Sequence, residues 1–218
     1  MRLLRLPGVY RPQDDTFLLR GAVEREPLPD CANVLDLGTG SGALAMTAAE
    51  RRGTHVTAVD AALRAVCTTW FNARINGVRV RVLRGDLTRP VIGCSFDLIM
   101  ANPPYVPSPL ACLPRRGRAV AWDAGRDGRA LLDRICVDAP SLLAPGGVLL
   151  LVHSGLCGVE DTLSRLRRAG LRAAVSERRC IPFGPVLRRR ARWLEEQGLI
   201  APGAQKEELV VIRGEHQG

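Results

Sequence analysis

The spacing of apolar positions changes along this chain, and the changes mark out its elements. Asn33 to Leu37, His55 to Asp60, Phe96 to Ala101 and Val148 to His153 are short, nearly continuous apolar runs. Such runs suit strands buried on both faces of a parallel sheet. Val78, Val80 and Val82 alternate with Arg79 and Arg81, so Val78 to Leu83 reads as a strand with one wet face. Leu171 to Glu177 and Leu209 to Arg213 are two further strands. Between the strands lie stretches of helical length. They run from a cap at Pro12-Gln13-Asp14-Asp15-Thr16 to about Glu24, from the glycines at 38–42 to about Arg52, over 61–76, from Arg126 to Leu143, and from Val159 to Ala169. Gly53, Asn76-Gly77, Pro145-Gly146-Gly147 and Gly170 stop the helices before them. Strands alternating with helices imply right-handed parallel βαβ units. The expected architecture is α/β: a seven-stranded, mostly parallel sheet with an antiparallel last strand, in a single domain over 1–218. Residues 1–30 form a lead and helix. The stretch 180–205, with Pro182, Gly184, Pro185 and Arg188-Arg189-Arg190, is too long for a simple connection and reads as a basic insertion.

A hydrophobic fraction of 46% in 218 residues supports a substantial core. No apolar run approaches the ~20 residues of a membrane span. Met1 to Tyr10 is interrupted by Pro7-Gly8 and lacks the apolar centre of a signal peptide, so the expected location is cytoplasmic, with no membrane contact. The seven cysteines contain no C-x-x-C pair. That excludes a zinc pattern or a small disulfide scaffold, and leaves most of them as small core residues with no metal to bind. Charge is unevenly placed. The ten Arg and single acid (Glu177) between Arg165 and Arg192 carry the whole net charge of +9. This basic patch suits an acidic or nucleic-acid partner.

The chemistry gathers at strand ends. Gly38-x-Gly40-x-Gly42 follows the first strand and lets backbone pass close to a ligand. Asp36 lies beside that turn. Asp60 ends the second strand at a distance that suits ribose hydroxyls, and Asp86 follows the third, where it can accept from an adenine amino group. The fourth strand leaves the sheet at Asn102-Pro103-Pro104-Tyr105, because two prolines cannot continue a ladder. An Asn beside proline carbonyls offers acceptors suited to a planar NH2 group. No phosphate-binding G-x-x-x-x-G-K-[ST] is present, which leaves nicotinamide and S-adenosylmethionine as cofactor classes, and the Asn-Pro-Pro-Tyr exit favours the second. No general base stands near Asn102 in sequence. His55, His153 and His216 read as structural or solvated.

Asp36-Leu37-Gly38-Thr39-Gly40-Ser41-Gly42, Asp60, Asp86 and Asn102-Pro103-Pro104-Tyr105 resemble a class I methyltransferase of the amino-methylating group, with its Rossmann-like sheet. Tyr10-x-Pro12-x-x-Asp15-Thr16-Phe17 and Ala121-Trp122-x-x-Gly125-Arg126-x-Gly128-Arg129 narrow the resemblance to small release-factor glutamine methyltransferases of the HemK2 type. It covers roughly residues 9 to 175. Asp36 comes too early for the N-terminal helical domain of larger bacterial relatives, and 180–205 has no counterpart in the family pattern. The resemblance implies S-adenosylmethionine as cofactor. Thr16, supported by Asp15, would contact its methionine end together with Asp36 and Gly38, beside Gly40. Asp60 would take the ribose, and Asp86 with the Leu87 backbone the adenine. Asn102 and the Pro103 carbonyl would accept the two protons of a target amide, with Tyr105 packed on its plane. Accepting both protons polarises a poor amide nucleophile and aims it at the methyl group, by orientation and electrostatics. The implied substrate is a release factor or another translation-associated protein. The alternative is an amino-directed, N6-adenine-type nucleic-acid methylase, which the basic patch would serve. Short relatives also work with a small zinc-binding activator paired along the third strand, where Arg79 and Arg81 here discourage strand addition.

Overall fold

The computed structural model describes residues 1–217 except 111, 115 and 116, and leaves the Arg118 side chain undescribed. Thirteen elements follow one another: α1 (Asp14–Arg25), β1 (Asn33–Leu37), α2 (Ala43–Ala49), β2 (His55–Asp60), α3 (Leu63–Ile75), β3 (Val80–Arg84), β4 (Phe96–Ala101), α4 (Leu132–Asp138), β5 (Leu143–Ser154), α5 (Val159–Arg168), β6 (Leu171–Pro182), α6 (Pro185–Glu196) and β7 (Lys206–His216), besides short 3-10 turns. The sheet order is β3-β2-β1-β4-β5-β7-β6. The first five strands pair in parallel, and β7 runs antiparallel to both β5 and β6. The seven strands are what the periodicity predicts, and the antiparallel last one is what the resemblance to class I methyltransferases implies.

Side-chain alternation divides the core into two layers. Val34, Leu98, Met100, Val148 and Leu150 point to one face, under α1 and α2 residues such as Leu18, Leu19 and Met46. Leu35, Leu37, Ile99, Leu149 and Leu151 point to the other, under Leu132 and Ile135 of α4 and Leu163 and Leu166 of α5. The central strands β1, β4 and β5 are therefore buried on both sides, which explains their unbroken apolar runs. Strand order reverses between β1 and β4. The loops after these two strands diverge there and open a cleft at their carboxyl ends.

Four expectations are corrected. The helix expected over 126–143 is confined to 132–138, because Gly125 and Gly128 adopt left-handed φ of 82° and 74° and form turns instead. Pro145-Gly146-Gly147 does not precede β5 but bulges within it: Phe96 pairs with Leu143 and Leu98 already with Val148. The stretch 180–205 contains the rest of a long β6, then α6, whose Leu187 and Leu194 pack with Phe183 and Ile200 into a third cluster against Val106 and Leu156. Finally, only Cys136 and Cys157 are core residues. Cys31, Cys67, Cys94, Cys112 and Cys180 are exposed, on turns and outer faces of their elements. Among the described residues no helix is long and apolar enough to cross a membrane, and no cluster of metal-ligating side chains occurs.

Candidate active site

The cleft after β1 and β4 encloses a cavity of about 1000 Å³. Its wall includes Tyr10, Asp15 and Thr16, Gly38 to Ser41, Asp60 to Ala65, Asp86 and Leu87, Asn102 to Val106, Trp122 and Asp123, and Arg134. Of the residues singled out from the sequence, Thr16, Gly38, Gly40, Asp60, Asp86, Leu87, Asn102, Pro103 and Tyr105 are all on this wall.

The glycine turn is built by its neighbours. Gly38, Gly40 and Gly42 have φ of 72°, 56° and 81°, a region closed to most side chains. A Cβ on Gly42 would lie 2.9 Å from the Thr69 methyl of α3. The Gly38 and Thr39 amides donate to the Val59 carbonyl at 2.9 and 3.1 Å, so the turn folds over the end of β2. Asp60, half-exposed at that end, accepts the Gly40 amide on one oxygen at 3.0 Å and the Ala62 amide on the other at 2.8 Å. Burial raises its pKa against the pull of those two amides.

Asp36 is set one layer back and is not on the cavity wall. It is 1% exposed, with one oxygen accepting Thr39 Oγ1 at 2.6 Å and the Ala45 amide at 3.1 Å. Its other oxygen has no partner among the described residues. Burial pushes its carboxyl up to about 7, although the Thr39 hydroxyl and Ala45 amide oppose the shift. Asp86 is not a vacant acceptor either. Arg134 of α4 donates to it at 2.7 Å and holds its carboxyl below the ordinary range. Leu87, next to it, has φ of 48°, an unusual conformation for a branched side chain that turns its backbone along the cavity while its side chain packs into the core.

Asn102 leaves β4 with its side chain toward α1. Its Nδ2 donates to Thr16 Oγ1 at 3.2 Å, and Thr16 Oγ1 donates to Asp15 Oδ1 at 3.2 Å. Among the described residues neither Asn102 Oδ1 nor the Pro103 carbonyl accepts a hydrogen bond, so two acceptors remain for a ligand. Tyr105 does not stand free: its hydroxyl donates to Asp15 Oδ2 at 3.0 Å.

The second motif braces this exit from behind. Gly128 lies so close to the Tyr105 carbonyl that a Cβ would come within 2.3 Å of it. Cys157 Sγ donates to the same carbonyl at 3.0 Å. The buried Arg129 guanidinium binds the Cys157 and Gly158 carbonyls, Thr162 and Asp133. Val106 exchanges backbone bonds with Trp122 and Ala124. The buried Asp123 is paired with Arg190 of α6 at 2.7 Å. The segment after Tyr105 is thus pinned across the cleft to the helix that sequence reading took for an insertion.

Sequence reading missed Asn72 and Asn76 of α3. Asn72 is fully buried, bonds the Leu4 amide and carbonyl, both at 2.9 Å, and reaches the Ser41 carbonyl at 2.8 Å. Asn76 holds Arg2 in the same way. Together they strap the N-terminal lead along α3 and bring Pro7 to Tyr10 over the cavity. Their four-residue spacing was the available signal, since it puts both amides on one face of a helix.

The fold and this cleft define a class I S-adenosylmethionine-dependent methyltransferase. Residues 3–110 match the Methyltransferase small domain family. A Methanocaldococcus jannaschii protein that carries the name of a protein N5-glutamine methyltransferase is 34% identical over 179 residues, 81% of this chain and 88% of that protein. Methyltransferase HEMK2 of Mus musculus is 33% identical over 77% of this chain and 82% of its own length. The E. cuniculi Mtq2–Trm112 complex, responsible for methylation of the eRF1 translation termination factor, superposes with a TM-score of 0.68 at 25% identity, covering 96% of this chain and 99% of that one. The chain belongs to the HEMK2-type protein N5-glutamine methyltransferase family.

Proposed function

We propose that this protein methylates the side-chain amide of a glutamine in a peptide chain release factor. The observation that carries the reading is the pair of acceptors at Asn102 Oδ1 and the Pro103 carbonyl, facing a cleft built for S-adenosylmethionine. The residues present fit that cofactor. The left-handed glycines give its methionine end a backbone cradle, and the unpartnered Asp36 oxygen supplies a negative charge behind it. Each Asp60 oxygen keeps a lone pair for a ribose hydroxyl. Asp86, shared with Arg134, and the Leu87 backbone would receive the adenine. Thr16, Gly38 and Gly40 complete the cofactor wall. When bound, the cofactor supplies a methyl group on a cationic sulfur.

Asn102 and Pro103 would accept one amide proton each, which fixes the nitrogen in place and raises its electron density. Tyr105 flanks the same position. No residue in this arrangement has to remove a proton before transfer. The decisive experiment incubates the enzyme with labelled cofactor and either a purified release factor or a cell lysate, with and without nuclease, and maps the labelled atom. Label on a glutamine nitrogen supports the reading. Nuclease-sensitive label on adenine would replace it with nucleic-acid methylation.

A small activator subunit, as in the Mtq2–Trm112 complex, is favoured by a separate observation. β3 is an open sheet edge, and α3 beside it exposes Trp70, Phe71 and Ile75 at 50%, 46% and 41%. Apolar surface next to an unpaired strand is a docking geometry. Arg81 and Arg84 on β3 leave room only for a partner that tolerates or neutralises them. A soluble, active monomer from expression of this chain alone would exclude an obligate partner.

A further inference from the structure

We infer that Asp15 and Thr16 set the polarity of the Asn102 side chain, so that its oxygen and not its nitrogen faces the substrate. An asparagine amide has two ends of nearly equal shape, and a flip would present donors to a target NH2 group that is itself a donor. The bond directions around Asn102 forbid the flip. Asp15 is surrounded by four donors: the Thr16 amide at 2.6 Å and Thr16 Oγ1 at 3.2 Å on one oxygen, and the hydroxyls of Tyr10 at 2.8 Å and Tyr105 at 3.0 Å on the other. All four bonds run toward Asp15, which acts as their acceptor. The Thr16 hydroxyl must therefore give its single proton to Asp15. Toward Asn102 it can then only accept, and Asn102 must present Nδ2 to it, as observed at 3.2 Å. Oδ1 is left for the substrate.

The relay also reassigns Tyr10 and Tyr105. Burial raises the pKa of both phenols, which favours their protonated, donating form. Gln13 Nε2 donates to the Tyr10 hydroxyl at 3.0 Å, which leaves the phenol proton to Asp15. Tyr10 comes from the strapped lead, Tyr105 from the exit of β4, and Asp15 and Thr16 from the first turn of α1. Three segments distant in sequence thus agree on one orientation of one amide. Asp15 and Thr16 are positioning residues in this scheme: they act on the substrate only through Asn102.

The inference rests on Asn102 facing the methyl acceptor, and the test separates the two. Hydrogen exchange of the Asn102 side-chain amide, followed by NMR on the enzyme alone, needs no substrate. It is expected to be slow in wild type and Thr16→Ser, and at least tenfold faster in Thr16→Val and Asp15→Asn. Methylation of a purified release factor should show the same pattern. Thr16→Val should lose tenfold or more in kcat with saturating cofactor, beyond any change in cofactor Kd, and Thr16→Ser should recover most of it. Equal exchange rates in all four proteins, or a Thr16→Val loss that lies wholly in cofactor affinity, would overturn the relay. Absence of release-factor labelling by wild type would sink the substrate reading, while the exchange result still decides the relay.

Discussion

The Asp60 carboxylate accepts the Gly40 backbone amide at 3.0 Å, twenty residues away along the chain. The acid that would receive a ribose is therefore also the clasp that closes the glycine turn. Replacing Asp60 with Ala should weaken S-adenosylmethionine binding by roughly 1.5–3 kcal/mol for the lost hydrogen bonds to a charged group. Some of that loss belongs to the relaxed turn. Asp60→Asn should recover part of the affinity, since its oxygen can still accept from Gly40. Calorimetry with the three proteins checks this, and an unchanged affinity in Asp60→Ala would place the ribose elsewhere.

Asn102→Ala should separate binding from chemistry. The cofactor wall is made mostly by the glycine turn, Asp60 and Asp86, whereas Asn102 holds one of the two acceptors at the exit of β4. Loss of one positioning group in a transition state is worth on the order of 3 kcal/mol. Turnover should fall by two orders of magnitude or more, while cofactor affinity stays within a few-fold. Near-normal turnover would remove Asn102 from the mechanism.

Asp86 and Asn102 were legible because they stand at strand ends beside Gly85 and Pro103, Asp36 because the glycine turn begins at Gly38, and Asp60 because it closes the apolar run of β2. Asp36, Asp60, Asp86 and Asn102 mark the carboxyl ends of four strands in turn, and the chain topology brings those ends together. What sequence could not show were partners that meet only in space. Nothing near Asp86 announces Arg134, and nothing near Asn102 announces Thr16, 86 residues earlier. The same blindness misjudged the basic segment. Its +9 counts only residues within the window, whereas Asp133, Glu215, Glu208, Asp123 and Glu196 come from outside it to pair with Arg165, Arg172, Arg178, Arg190 and Arg192. The helix α6 was obscured by Pro182 and Pro185, which read as loop markers although Pro185 occupies the first turn of the helix, where proline is well tolerated.

Cofactor binding should depend on pH through Asp36. Burial lifts its carboxyl from 3.8 to about 7, so the folded protein binds that proton more tightly than the unfolded chain does. Between about pH 4 and 7 the apoprotein therefore loses stability as pH rises, and the loss levels off above 7. A cation held at the glycine turn favours the ionised form and reverses the trend for binding. Affinity for S-adenosylmethionine should climb with pH up to about 7 and then flatten, with proton release on binding below that point. Glu207, also pushed up to about 7 by burial, titrates in the same window, so Asp36→Asn is the necessary control. Calorimetry across the window in two buffers of different ionisation enthalpy checks it. An equally steep pH dependence in Asp36→Asn would assign the effect to another group.

The basic surface needs a more selective test than reversal of the whole Arg188-Arg189-Arg190 run. Arg190 is only 19% exposed, pairs with Asp123 at 3% exposure, and donates to the Pro107 carbonyl at 2.8 Å. Breaking a buried pair by removing one partner costs roughly 3–5 kcal/mol, because the other charge stays buried and uncompensated. Arg190→Glu would go further and set two acids against each other beside the active-site loop. Arg190→Ala should therefore lower the thermal midpoint and reduce turnover through the 106–125 loop, whatever the substrate. Arg188 and Arg189 are exposed, and neither has an ion-pair partner among the described residues. If α6 guides an acidic macromolecule to the cleft, Arg188→Glu with Arg189→Glu should raise its KM several-fold and leave the thermal midpoint and cofactor affinity unchanged. The wild-type KM should also rise with salt, since exposed charges are screened within about 10 Å at 0.1 M. A double variant with wild-type KM, or a KM indifferent to salt, would leave these two arginines as solvated surface and confine the contribution of α6 to the Arg190–Asp123 pin.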